Sequence, residues 1–310
     1  MWSSRLVVWV TLSAIYLSPA AADDNSDCEN RNVDAARRVT ACSALIASDM
    51  LDNISKSQAL NNRGQAYYRI KDLDHALTDF DDAIKMNPAN ADAFNNRGNL
   101  YWSKLEDDRA FQDLNETIRI DRRPEYFLNR GEKYSALGDL DRAISDFDQA
   151  VSLDPQLIAA YLRRANAYSR KKDFPRAMRE YDQLLKLEPA NYGISTRRRQ
   201  VSDASADHVK DMDGYIRVLI ARAQLLKQFP RQALREHAEG VVHVSFTINR
   251  RGSVRGSRIV TSSGFPILDQ EALALVQRAQ PFPPLPGDGA TRVFSLPVRF
   301  RALDPPGESK

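Results

Sequence analysis

Small residues return along this chain at a nearly fixed interval: Gly64, Gly98, Gly131 and Ala165 lie 34, 33 and 34 residues apart. Three residues after each comes a tyrosine, at Tyr67, Tyr101, Tyr134 and Tyr168. An alanine follows (Ala76, Ala110, Ala143, Ala177) and then a larger side chain (Phe80, Leu114, Phe147, Tyr181). A period of this length belongs to a helical pair that cannot bury its apolar face alone and stacks on copies of itself. Small residues let two antiparallel helices approach, and large ones fill the groove between neighbouring pairs. Pro88, Pro155 and Pro189, which lack an amide donor, end the second helix of three units. The second unit is one residue short, carries Arg122 in place of that proline and defers its proline to Pro124, which predicts a small misalignment there.

These landmarks resemble the tetratricopeptide repeat. They predict an α-solenoid of four such helix-turn-helix repeats over residues 57–190, with a capping half-repeat over 28–56, where Val33 to Ser48 shows helical spacing. Locked to the same period are Arg63, Arg97, Arg130 and Arg164 on the first helices, and Asp79, Asp113, Asp146 and Glu180 on the second. Bidentate, partly buried pairs of this kind fix helix register, the structural reading; the other reading is a row of ligand-binding arginines. In such arrays partners lie on the concave face, lined by first helices. It is expected to carry Gln58, Asn61, Gln65 and Tyr68, then Asp92, Asn95, Asn99 and Trp102, then Glu125, Leu128 and Glu132, and finally Leu162 and Asn166. An amide is both donor and acceptor, so a ladder of asparagines can grip an extended peptide whatever its side chains; the bland alternative is solvated surface.

Residues 191–212 lose the pattern and predict a capping helix running into a linker, with Arg197-Arg198-Arg199 simply solvated. Charge then shifts. Residues 213–301 hold 13 Arg and Lys against 6 Asp and Glu, whereas 28–190 hold 25 against 27. The basic module favours acidic partners or anionic surfaces. Tyr215 to Leu226 reads as a helix ended by Phe229-Pro230. Val242, Val244, Phe246 and Ile248 alternate with polar residues, and a turn at Asn249-Arg250-Arg251-Gly252 leads to a strand near Val254 to Thr261. Leu268 to Ala279 predicts a second helix and Val293 to Arg301 a third strand. The expected fold is a small α+β domain of three antiparallel strands and two helices. A single helix returns the chain between the second and third strands, so these run parallel and the third lies beside the first, at an edge.

Phe229-Pro230 with Ala233, Glu239-Gly240-Val241-Val242, Ser262-Ser263-Gly264 with Leu268-Asp269, and Gln280-Pro281-Phe282-Pro283-Pro284 resemble, in order, the motifs of the TonB C-terminal family. The resemblance covers nearly all of 215–301. It implies binding of outer-membrane partners by pairing an edge strand with an extended peptide. The third strand is the candidate edge, through the outward groups of Val293, Ser295, Pro297 and Arg299. Pro297 removes one donor from that row, either as a guard against unwanted pairing or as a gap beside which a peptide still docks. The departure from the family is upstream, where repeats replace the membrane anchor and proline-rich reach of an energy transducer.

Arg5, an apolar run from Leu6 to Leu17, small residues to Ala22 and then Asp23-Asp24 predict a signal peptide over 1–22 and a periplasmic chain. The run is shorter than the roughly 20 residues of a membrane-spanning helix. The alternative is an uncleaved anchor in the inner membrane, which would make the chain a TonB-like energy transducer for outer-membrane transport; only then is a membrane a partner. Export lets Cys28 and Cys42 pair. His75, His208, His237 and His243 stand apart from any Cys, Ser or acid at catalytic spacing, and no phosphate-binding glycine loop or metal set is present. The expectation is a non-catalytic adaptor of the cell envelope, with no metal, cofactor, small-molecule substrate or nucleic acid, whose partners are envelope proteins or extended peptides, an outer-membrane transporter among them. The expected tail is a disordered segment over 302–310.

Overall fold

The computed structural model describes residues 19–48, 51–207, 209–287 and 289–301. The expected signal segment up to residue 18, and the tail over 302–310, lie outside the described residues. The chain forms two compact units, residues 1–121 and 122–310.

In the first unit, α1 (Pro19–Glu29) and α2 (Ala35–Ala47) precede the repeat pairs α3 (Asn53–Arg69) with α4 (Leu73–Met86), and α5 (Ala91–Ser103) with α6 (Asp107–Ile120). Asp34, Asp52, Asp72 and Asn90 accept hydrogen bonds from the otherwise unpaired first-turn amides of α2, α3, α4 and α5. The period has a steric origin that the structure makes explicit. A Cβ on Gly64 would stand 2.7 Å from the Phe80 ring, so the small residue and the aromatic are one device. Cys28 and Cys42, both buried, form a disulfide that ties α1 to α2.

In the second unit, α7 (Pro124–Leu137) pairs with α8 (Leu140–Leu153), and α9 (Ile158–Arg170) with α10 (Phe174–Leu187). α11 (Tyr192–Ala204) and α12 (Met212–Leu226) follow; a short helix, α13 (Arg231–Arg235), precedes the sheet and was not anticipated. β1 (Gly240–Asn249), β2 (Val254–Thr261), α14 (Pro266–Arg278) and β3 (Thr291–Phe300) complete the module. The strand order is β2-β1-β3, antiparallel throughout, with Val244 opposite Leu296 and His243 opposite Pro297. Val242, Val244, Phe246 and Ile248 face a core shared with Tyr215 and Leu219 of α12 and with Leu268 and Leu275 of α14. Gly252 has φ +82°, and the Phe282 carbonyl would lie 1.9 Å from a Cβ there. Only glycine fits that turn.

The inner and outer helices of the repeats are joined by a residue in the left-handed region at Lys71, Leu105, Gly138 and Lys172. This second signature shares the period, but only Gly138 announces it by residue type.

Candidate partner-binding surfaces

The arginine row builds the repeats from inside. Arg63 donates from Nε and Nη2 to both oxygens of Asp79 at 2.8 and 2.7 Å. Arg97 does the same to Asp113 at 2.8 Å each, and Arg130 to Asp146 at 2.9 and 2.7 Å. Arg164 reaches Glu180 from Nη2 at 2.6 Å. A planar fork facing a carboxylate sets both the distance and the rotation of two helices. Arg97 is held well above the usual arginine range, first by its hydrogen bond to Asp113. Arg97 and Arg164 each spend their other nitrogen on an acid of the preceding outer helix, Asp81 and Asp148, both at 2.7 Å. The arginines therefore link one repeat to the next as well as the two helices within each. Arg198, expected to be solvated, extends the row: its Nε lies 2.5 Å from Asp182.

The concave residues divide into those turned inward and those left half-open. Asn61 is 1% exposed, and its Oδ1 accepts from Asn96 Nδ2 at 2.8 Å, so this amide joins α3 to α5 instead of facing a groove. Gln65 accepts from Arg38 at 3.4 Å. Asn166 accepts from the Tyr181 hydroxyl at 3.1 Å, inside its own repeat, and Glu132 takes the Arg163 guanidinium at 2.6 Å. Tyr68, Asn95, Asn99 and Trp102 are half-buried, with Trp102 edge-on to Phe111 at 6.2 Å between ring centres. The surface that stays half-open in the first unit is thus carried by α5 and the end of α3.

Sequence reasoning missed Arg38. It is buried, donates from Nε to the Cys28 carbonyl at 2.8 Å and leaves Nη2 without an acceptor. Burial lowers its pKa, with Arg31 and Arg69 adding to the effect. Its charge gave no signal that it would turn inward.

In the module, Phe294, Leu296, Val298 and Phe300 face inward while Val293, Ser295, Pro297 and Arg299 are exposed, Val293 at 65%. Pro297 has no amide, so its pairing with His243 is one whose backbone groups point away from β1. The backbone groups of Val293, Ser295 and Arg299 share that direction. Among the described residues no strand covers this side of β3. One acceptor is already engaged, since Lys227 Nζ donates to the Arg299 carbonyl at 3.0 Å. The serine motif is a loop clamp: Asp269 accepts from the Ser263 amide and hydroxyl, both at 2.9 Å, and from the Ser262 hydroxyl at 2.5 Å. Burial works against the Asp269 charge, but these hydrogen bonds outweigh it and lower its pKa.

Among the described residues no group of His, Cys, Asp and Glu is placed to hold a metal, and no helix is long and apolar enough to cross a membrane.

Comparison with known proteins agrees with this division. The family described as Gram-negative bacterial TonB protein C-terminal matches residues 226–302, and tetratricopeptide repeat families match residues 64–104 and 134–192. Protein TonB of Pasteurella multocida is 35% identical over 91 residues, which are 29% of this chain and 35% of that protein. The match thus spans about a third of that relative's length. Similar solved structures include YrrB, a TPR protein with an unusual peptide-binding site, at 16% identity and TM-score 0.46, covering 61% of this chain and 92% of that one. MamA of Desulfovibrio magneticus has 19% identity and TM-score 0.47, with 56% and 98% covered. A tetratricopeptide repeat protein of Parabacteroides merdae has 18% identity and TM-score 0.49, with 67% and 77% covered. The chain joins tetratricopeptide repeats to a domain of the TonB C-terminal family, both of them protein-interaction folds.

Proposed function

We propose that the chain is an exported, non-catalytic adaptor of the cell envelope that captures an extended peptide on β3 and a second protein on the inner helices of its repeats. The observation that carries this reading is the outer edge of β3, which no strand covers among the described residues and whose side chains alternate between an inward apolar row and an exposed row. A guest strand there gains main-chain hydrogen bonds without disturbing the core. On the repeats, the half-buried Tyr68, Asn95, Asn99 and Trp102 combine aromatic surface with amide groups. Family likeness of the module to TonB favours a partner at the outer membrane, and an acidic segment on a partner would suit the basic module.

A photo-crosslinking residue placed at Ser295 or at Asn99, in the native host, tests the reading. Adducts with two different envelope proteins are expected, one per position. No adduct at Ser295 alongside a strong one at the β2 position Arg258 would place the docking edge on the wrong side of the sheet.

A further inference from the structure

The inner face of the fourth repeat is already in use. α11 continues the stack, with Arg198 on Asp182 as its next rung, but a fifth helical pair cannot close behind it. At the repeat interval, the place of Gly64, Gly98, Gly131 and Ala165 falls to Arg199, and the acid that should face Arg198 from sixteen residues on is Gly214. The next helix therefore has neither the close approach nor the carboxylate that would hold it outside α11. Instead α12 packs on α9 and α11, the inner helices.

One side of α12 carries Tyr215, Leu219, Ala223 and Leu226 into the core of the module, while Leu225 enters the cluster of Tyr168, Tyr181, Leu184 and Val201. Ser169 occupies the position that Tyr68, Trp102 and Ser135 hold in the other repeats; those are half-buried, and Ser169 is 1% exposed. Polar contacts close the same seam. Lys172 donates to the Gln280 carbonyl, and Arg222 to the carbonyls of Ala204, at 2.9 Å, and Pro281. Arg170 of α9 is exposed to the charges of Arg278 and Glu271 of α14.

From this arrangement we infer that the C-terminal module is a resident occupant of the inner face of the fourth repeat, so that a peptide reaching that end of the groove must displace it. The occupant is this chain's own α12 and the carbonyl-rich loop after α14. Its Leu225 meets the repeat cluster, Lys172 of the repeats reaches the Gln280 carbonyl of its loop, and its own Arg222 reaches the Ala204 carbonyl of α11. The inference is independent of which proteins bind the chain.

Thiol accessibility in the full chain tests it. The native cysteines are held in their disulfide, so Ser169→Cys introduces the one reactive thiol, with Ser195→Cys as an exposed control. Maleimide labelling at position 169 is expected to be at least tenfold slower than at 195. Adding Arg222→Ser and Leu225→Asp should bring the two rates together while the helical circular dichroism persists. Equal rates in the parent background, or an unchanged slow rate in the seam variant, would overturn the inference. Where the seam variant loses helicity, Lys172→Ala serves instead: faster amide exchange at the end of α9 supports docking, and unchanged exchange there counts against it.

Discussion

Arg164 meets Glu180 through Nη2 alone, and its buried Nε has no acceptor. In the rungs of Arg63, Arg97 and Arg130 the partner is aspartate and both nitrogens are used. The additional methylene of glutamate rotates the carboxylate out of the fork. Glu180→Asp should therefore restore the second bond and raise stability by roughly 0.5–1.5 kcal/mol, the net worth of one hydrogen bond. A higher urea midpoint at constant slope is the expected result; a lower midpoint would mean that helix spacing here needs the longer side chain.

The Arg63–Asp79 pair should behave as a coupled unit. Replacing either with Ala costs roughly 1.5–3 kcal/mol, because the survivor keeps a charge in a partly buried place. The double replacement should cost less than the sum by at least about 0.5 kcal/mol. Additive losses in a double-mutant cycle would mean that the observed fork carries no energy.

Asp269 gives the module an acid-sensitive clamp. Its folded pKa lies below the ordinary aspartate value of about 3.9, so its contribution is complete above that value and is lost as pH falls through the lower folded one. Asp269→Asn should be less stable than the parent at pH 6 by a margin that holds down to about pH 5 and narrows below about pH 4. A margin that does not change with pH would assign the loss to packing.

Lys133 predicts a dependence of the same sign at high pH. Burial pushes its pKa down to about 8, against roughly 10.4 for a free lysine. Between these values the unfolded chain binds the proton that the folded chain has released, so stability should rise with pH across that window. Lys133→Met should remove this rise, as measured by urea unfolding from pH 7 to 10. An unaltered pH profile would show that the ammonium is solvated.

The repeat architecture was legible because close packing leaves residue types at fixed places: a Cβ on Gly64 would run into the Phe80 ring, so a small residue recurs opposite a large one. The strand order followed from chain direction alone, and the structure has it as β2-β1-β3. The groove was less legible. First-helix position says which way a residue leaves the helix, yet Asn61 turned to meet Asn96, and Asn166 to meet Tyr181. Those partners lie 35 and 15 residues away, and asparagine has no size or charge signature that would reveal them. Arg38 was missed for a related reason: charge suggests solvent, and only the three-dimensional neighbourhood shows where a guanidinium finds acceptors.

β3 is expected to receive an extended peptide beside Pro297. Peptides selected for binding to the full chain should slow amide exchange at Val293, Ser295 and Arg299. Pro297→Val, which supplies the missing donor, should tighten their binding by roughly 0.5–1.5 kcal/mol, about two- to tenfold in Kd. Protection confined to β2 or to the repeats, with affinity indifferent to Pro297→Val, would rule out docking on β3.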